Sequence, residues 1–222
     1  ADSYGREMRA YLTSANVGTR YLRTDETVAS GVAIIFIDAT GQNYVNAVYG
    51  ANARCDAIQV ADAAAALKGA SVLLAQQEIP LDTTFAAMRT ARVKGVTVIL
   101  DPAPARQSLP EGFLQACDIL TPNQTEAEAL TGIPVNNVTS AKRAASAVRR
   151  SGVPGVIIKM GELGAYVAAG GVSRHFPAFK VPVVATVGAG DAFNGGLAAG
   201  LAERASFEDA VWLAIATGAM SV

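Results

Sequence analysis

The run VATVGAGDAFNGGLAAGL, residues 184–201, leads from an apolar, β-prone stretch (Val181–Val184) through Gly188-Ala189-Gly190 into a helical pattern. It seats one carboxylate, Asp191, at the mouth of that helix. In open α/β sheets, helix N-termini beyond the carboxyl ends of the strands point free N–H groups at ligands. Small residues there let backbone amides close on a phosphate. Two glycine motifs are excluded: a dinucleotide fingerprint would need Gly where Phe193 stands, and a P-loop would need Lys after its last Gly, but Gly195 is followed by Gly196. A carboxylate inside a pure phosphate cradle would repel its ligand. Asp191 fits a site where a neutral hydroxyl loses its proton beside a phosphate held by amides, which is phosphoryl transfer with a general base. The stretch alone leaves a second role equally open, a simple cap on the helix.

Working outward, strand and helix patterns alternate from Asp56 onward. Helices are expected at 57–67, Thr83–Lys94, Thr125–Thr131, Ser140–Arg150, Asp191–Ala202 and Phe207–Met220, the last opened by Ser206 with Asp209 three residues on. Strands are expected at Val72–Leu74 (buried), Val96–Leu100, Asp118–Leu120 and Val156–Lys159. This spacing predicts a mainly parallel sheet covered on both faces. Ala165–Val184 breaks the alternation with short strands, an expected antiparallel edge. Before Asp56, Asp2 or Ser3 can cap a helix in which Tyr4, Met8, Tyr11, Leu12 and Ala15 share a face, with Tyr4 and Tyr11 read as packing residues. Val32–Asp38 and Asn43–Tyr49 flank a turn and should pair as a hairpin. Its alternate polar residues, Asp38, Gln42 and Asn46, predict one wet face. Being unstable alone, such a flap is expected to lie over a cleft or against a second copy.

The totals are those of a compact domain: 222 residues, 51% hydrophobic and 17% charged, with a formal charge of −1. That charge gives no basic footprint for nucleic acid. No apolar run approaches the ~18 residues of a membrane helix, and the opening residues carry no signal-peptide pattern. Cys55 and Cys117 lack metal-ligand spacing and read as buried thiols, which favours a reducing cytoplasm. His175, the only histidine, reads as structural, and Trp212 with Leu213 and Ala216 as a helix face against the sheet.

The segment TVGAGDAFNGGLAAGL resembles the C-terminal signature of the ribokinase-like (PfkB-type) sugar kinases, D-T-x-G-A-G-D. Thr121-Pro122-Asn123-Gln124-Thr125-Glu126 resembles the family's T-P-N-x-x-E, and Lys159-Met160-Gly161-Glu162-Leu163-Gly164 its strand-end segment beside the nucleotide. The likeness continues through ASGVAIIFIDATGQNYV, GANA, LLAQQEIPL, DPAPARQSLP and DILTPNQTEAEALTG, and so covers essentially the whole chain. It implies one ribokinase-like α/β domain over 1–222, incomplete at both ends, with a β lid at about 27–50. It also implies ATP-dependent phosphorylation of a sugar, D-ribose at its 5-hydroxyl.

By the same resemblance Asp191 deprotonates the hydroxyl, and Gly188, Ala189 and Gly190 stabilise the migrating phosphoryl group. Glu78 lies with Asp191 near the sugar. Asn123, Lys159, Gly161, Gly164 and Gly190 border ATP. Asn123 and Glu126 organise Mg²⁺ through water, a role their residue types permit; read alone, the pair also fits a helix cap. In the family the lids of two subunits commonly clasp, which implies a homodimer through the hairpin.

The departures from the pattern carry their own expectations. Ala185 replaces the first Asp of D-T-x-G-A-G-D, a carboxylate that helps hold a monovalent cation, so potassium activation through Thr186 and its neighbours is expected to be weak. Lys159 replaces a more usual Thr, turning a hydroxyl contact into a charged one to phosphate. Ile215 stands where a His or Asn often meets adenine. The family's opening strand and its sugar-gripping G-G-K-G-A-N would precede Ala1. Competing expectations are a kinase for another pentose, a nucleoside or a ketohexose, and a non-catalytic nucleotide-binding remnant.

Overall fold

The structure, a computed structural model, describes residues 2–37, 43–106 and 108–222, with the backbone alone at Ile37, Asn43 and Tyr44. Helix α1 (Ser3–Ser14) precedes a hairpin of β1 (Val32–Ile37) and β2 (Asn43–Val48), and α2 (Ala57–Ala63) follows. Then come β3 (Val72–Ala75), α3 (Leu81–Val93), β4 (Thr97–Leu100), β5 (Ile119–Leu120), α4 (Gln124–Thr131) and α5 (Val138–Arg150). The chain continues with β6 (Gly155–Lys159), β7 (Ala165–Ala169), β8 (Val172–Phe176), α6 (Ala189–Ala202) and α7 (Phe207–Met220).

Strands β3 to β8 form one sheet in chain order, parallel from β3 to β6 and antiparallel from β6 to β8. Successive strand residues enter opposite cores, as a period of two demands. Val98, Leu100, Val156 and Ile158 pack with α3, α4 and α5, whereas Ile99, Ile157 and Val167 pack with α6 and α7. The result is the expected three-layer α/β arrangement. The small residues after Asp191 let α6 and α7 cross closely: a Cβ on Gly200 would stand 2.7 Å from the Ala210 Cα. The Thr217 hydroxyl, on α7, donates to the Ala192 carbonyl at 2.9 Å. Helix α6 is therefore seated along its length by α7.

Several expectations need correction. Val181–Val184 is not a strand; residues 177–188 are irregular and mostly exposed. Pro177 and Pro182 each remove a ladder donor, which explains the loss of pairing after β8. Val72–Leu74 is only partly buried, because β3 has one neighbour among the described strands. The helix expected over 57–67 divides into α2 and a 3₁₀ turn, Ala64–Leu67. Helix α1 forms with Asp2 as its cap, but Tyr4 and Tyr11 do not pack: Tyr11 is 72% exposed. No described element covers that face.

The hairpin pairs Ile34 with Asn46 and Ile35 with Val45, so these pairs point to opposite faces. Exposed apolar side chains stand on both, Val32, Ile34, Phe36 and Val48 on one and Ile35 and Val45 on the other. The expectation of a single wet face is thus not met at the described residues; Asp38 and Gln42 lie outside them. Cys117 is buried, its thiol pushed up to about 12 by desolvation, while Cys55 is half-buried. His175 Nε2 donates to the Leu163 carbonyl, a structural bond. Trp212 packs edge-on to Phe176 at 5.2 Å. No helix among the described residues is long and apolar enough to cross a membrane.

Candidate active site

Parallel strands deliver their following residues to one end of the sheet, and the expected site residues follow that rule. Glu78 comes after β3, Asn123 and Glu126 after β5, and Lys159 closes β6. Across from them lies the first turn of α6. Gly188 is its N-cap, in the left-handed region at φ 82°, where glycine is favoured. With no side chain at the cap, no side-chain hydrogen bond caps this helix. Asp191 sits in the first turn, exposed, and is not the cap. The first intrahelical bond runs from Ala192 N to Gly188 O at 2.9 Å, so the Gly190 and Asp191 amides come before it and are free to meet an anion. The Ala189 N–H turns back toward the Thr186 carbonyl, 3.3 Å away.

Lys159 reaches this turn from the sheet. Its Nζ lies 3.3 Å from where a Cβ on Gly190 would stand, so even an alanine at 190 would crowd the ammonium by a few tenths of an ångström. The same Nζ is 2.6 Å from Asp101 Oδ2, with side-chain exposures of 12% and 8%. Asn194 Nδ2, on α6, donates to that same oxygen, and Asn194 is 1% exposed. Burial pushes the Asp101 carboxyl above the usual range, Lys159 and Asn194 pull it back, and the Asp191 charge adds to the rise.

Asn123 and Glu126 form a closed box. Asn123 Oδ1 accepts from Glu126 N at 2.8 Å, while the two Glu126 oxygens accept from Asn123 N at 2.7 Å and Asn123 Nδ2 at 2.9 Å. Lys159 N donates to the Pro122 carbonyl at 2.9 Å, which docks this box beside the lysine strand. Glu126 is 7% exposed, and desolvation raises its pKa, with Asp101 adding to the rise and Lys159 opposing it.

Gly161 opens a 3₁₀ turn after β6, and Gly164 closes it, Gly164 N donating to Gly161 O at 2.9 Å. Glu78 shares no hydrogen bond with this cluster among the described residues; it is exposed, and its N–H donates to the Gln76 side chain. Asp101 and Asn194 were missed by sequence reasoning. The available signals were an Asp closing the apolar run VTVILD and an Asn one helical turn beyond Asp191. The buried Gln77, whose amide atoms have no partner among the described residues, left no signal at all.

The pfkB family carbohydrate kinase profile matches residues 1–222. The chain belongs to that family. It is 36% identical to the ribokinase of Haemophilus influenzae over 222 residues, covering the whole chain and 72% of that relative. To the deoxyribokinase of Salmonella typhi it is 35% identical over 211 residues, 95% of the chain and 69% of the relative. Among solved structures, the ribokinase of Thermotoga maritima matches with TM-score 0.81 and 33% identity, over 100% of this chain and 71% of that one. Arabidopsis thaliana ribokinase complexed with ribose and ATP matches with TM-score 0.89 and 28% identity, over 98% and 72%. Like other PfkB carbohydrate kinases, the protein is a phosphotransferase with an alcohol group as acceptor.

Proposed function

We propose that this PfkB kinase transfers the γ-phosphoryl group of ATP to O5 of D-ribose. The observation that carries the reading is Asp191, free of any capping role, in the first turn of a glycine-capped helix with Lys159 against the next glycine. A polyphosphate fits this chain's donors: open amides at a helix N-terminus and a lysine head together. The Asp191 carboxylate takes the hydroxyl proton while the sugar oxygen bonds to the γ-phosphorus and the bond to the β,γ-bridging oxygen breaks, releasing ADP. The Gly190 and Asp191 amides hold the transferring oxygens; Gly188 gives the turn its left-handed cap and the Ala189 N–H, engaged with the Thr186 carbonyl, braces it, while Glu78 holds the sugar. Gly161 and Gly164 let backbone approach the nucleotide.

Asn123 and Glu126 suit Mg²⁺ bound through its waters. Their oxygens are engaged in the box but keep lone pairs for water protons, and magnesium when bound offsets phosphate charge. Ala185 supplies no carboxylate beside Thr186, so potassium activation is weak. The hairpin serves as lid over the sugar and clasps a second copy, in a cytoplasmic homodimer.

The similarity to a deoxyribokinase makes 2-deoxyribose the competitor to test. Assayed with ATP against ribose, 2-deoxyribose, other pentoses, fructose and nucleosides, the protein should show its highest kcat/KM on ribose. The product should carry a phosphate on O5 by phosphorus NMR. Preference for another acceptor would overturn the substrate, and transfer to none would overturn the reading.

A further inference from the structure

Helix α7 seats α6 against the face of the sheet, but no backbone hydrogen bond among the described residues ties the first turn of α6 to the strand ends. The chain leading into it, residues 177–188, is irregular and mostly exposed. Side chains make the connection instead. Asp101 is set by its own N–H, which donates to the Ala75 carbonyl at 2.9 Å, and Lys159 by its bond to Pro122. From these fixed bases, one oxygen of Asp101, Oδ2, accepts from both Asn194 of α6 and the Lys159 ammonium, and that ammonium rests against Gly190.

A cation at a helix N-terminus is opposed by the positive end of the helix dipole. Burial at 12% exposure opposes it further. Lys159 therefore stays at Gly190 only because a carboxylate faces it. Asp101 Oδ1 and Asn194 Oδ1 are buried with no partner among the described residues, a cost that a purely structural strut would not need.

We propose that Asp101 is a positioning residue for the nucleotide phosphates. It holds Lys159 Nζ and the first turn of α6 in one fixed relation, so that ammonium and amides meet the transferring phosphate as a preset anion site. This deepens the kinase reading above and rests on it. Asp101 itself touches no phosphate; it acts through Lys159 and through Asn194.

The test compares Asp101→Asn, Lys159→Met and the double variant with the unaltered full chain, by steady-state kinetics and by calorimetric titration of ADP and of a non-hydrolysable ATP analogue. Asp101→Asn should weaken nucleotide binding and raise KM for ATP by about 10- to 100-fold, with KM for sugar changed less than about 3-fold, since misplacement by about 1 Å can cost 10²-fold. The double variant leaves no unpaired buried charge, so it should melt above Asp101→Asn and yet bind nucleotide no better than Lys159→Met. Unaltered nucleotide affinity in Asp101→Asn, or recovered affinity in the double variant, would reduce the pair to a strut and overturn the proposal. Where a single variant fails to fold, the double variant decides by the same criterion. Absence of phosphoryl transfer by the unaltered chain would instead overturn the kinase reading, and the proposal with it.

Discussion

Asn123 and Glu126 hold each other through three hydrogen bonds, at 2.7, 2.8 and 2.9 Å, with the glutamate almost wholly buried. The cap is what the structure shows, and it is compatible with the magnesium role proposed above. The cap fixes the two side chains in one orientation, so under the proposed function the carboxylate would offer its spare lone pairs to hydrated metal at no further ordering cost.

Glu126→Gln separates the roles. Glutamine can still accept from the Asn123 N–H, but its amide NH₂ then meets Asn123 Nδ2, donor against donor, so the unfolding free energy should fall by about 1–3 kcal/mol. Loss of the charge weakens a hydrogen bond to a metal-bound water by ~1.5 kcal/mol. The magnesium concentration for half-maximal activity should therefore rise about tenfold, roughly 1.4 kcal/mol. A magnesium titration with an unchanged midpoint would leave Glu126 as a cap and nothing more.

Asp191→Asn addresses the base. Because Gly188 and not Asp191 occupies the cap position, the substitution should leave melting temperature and ADP affinity near those of the parent. A lost general base lowers kcat by about 10²- to 10⁴-fold. Turnover within a few-fold of the parent, with the same product, would remove Asp191 from the proton transfer.

The parts legible in the sequence were those set by neighbours along the chain. Short continuous apolar runs between helical stretches placed β4 and β6, as parallel strands buried on both faces require, and the glycine turn placed the start of α6. The ion pair was illegible because it joins residues 58 positions apart, and the Asn194 bond spans 93. Val181–Val184 misled because β-prone residues make a strand only where a neighbouring edge accepts their hydrogen bonds. The tyrosines of α1 misled likewise, since a helical stripe shows which face is apolar and not what covers it.

Acid should release α1. The Asp2 carboxylate accepts from Gly5 N at 2.8 Å, Ser30 N at 2.6 Å and the Ser30 hydroxyl at 2.9 Å, and these bonds lower its pKa from 3.8 to about 2. A depressed carboxylate contributes stability that is present above 3.8 and lost as pH falls through about 2. Amide exchange of α1, followed by NMR, should therefore lose protection across that window and not above it. Asp2→Ala should abolish the pH dependence; equal protection of the parent helix at pH 2 and pH 5 would refute the link.

The hairpin offers a two-sided test of the lid. Ile34 and Ile35 are both exposed and point to opposite faces of the same two strands. If one face lies over the sugar and the other clasps a partner lid, a buried charge should harm each function separately. One of Ile34→Glu and Ile35→Glu should raise KM for sugar while the protein stays dimeric by light scattering. The other should give monomers, because an unpaired carboxylate in an apolar interface costs several kcal/mol. The hairpin makes both substitutions tolerable to the fold, since neither residue belongs to the cores beneath the main sheet. Two variants that both remain dimeric with unchanged sugar KM would show that neither face is engaged and would remove the hairpin from the active site.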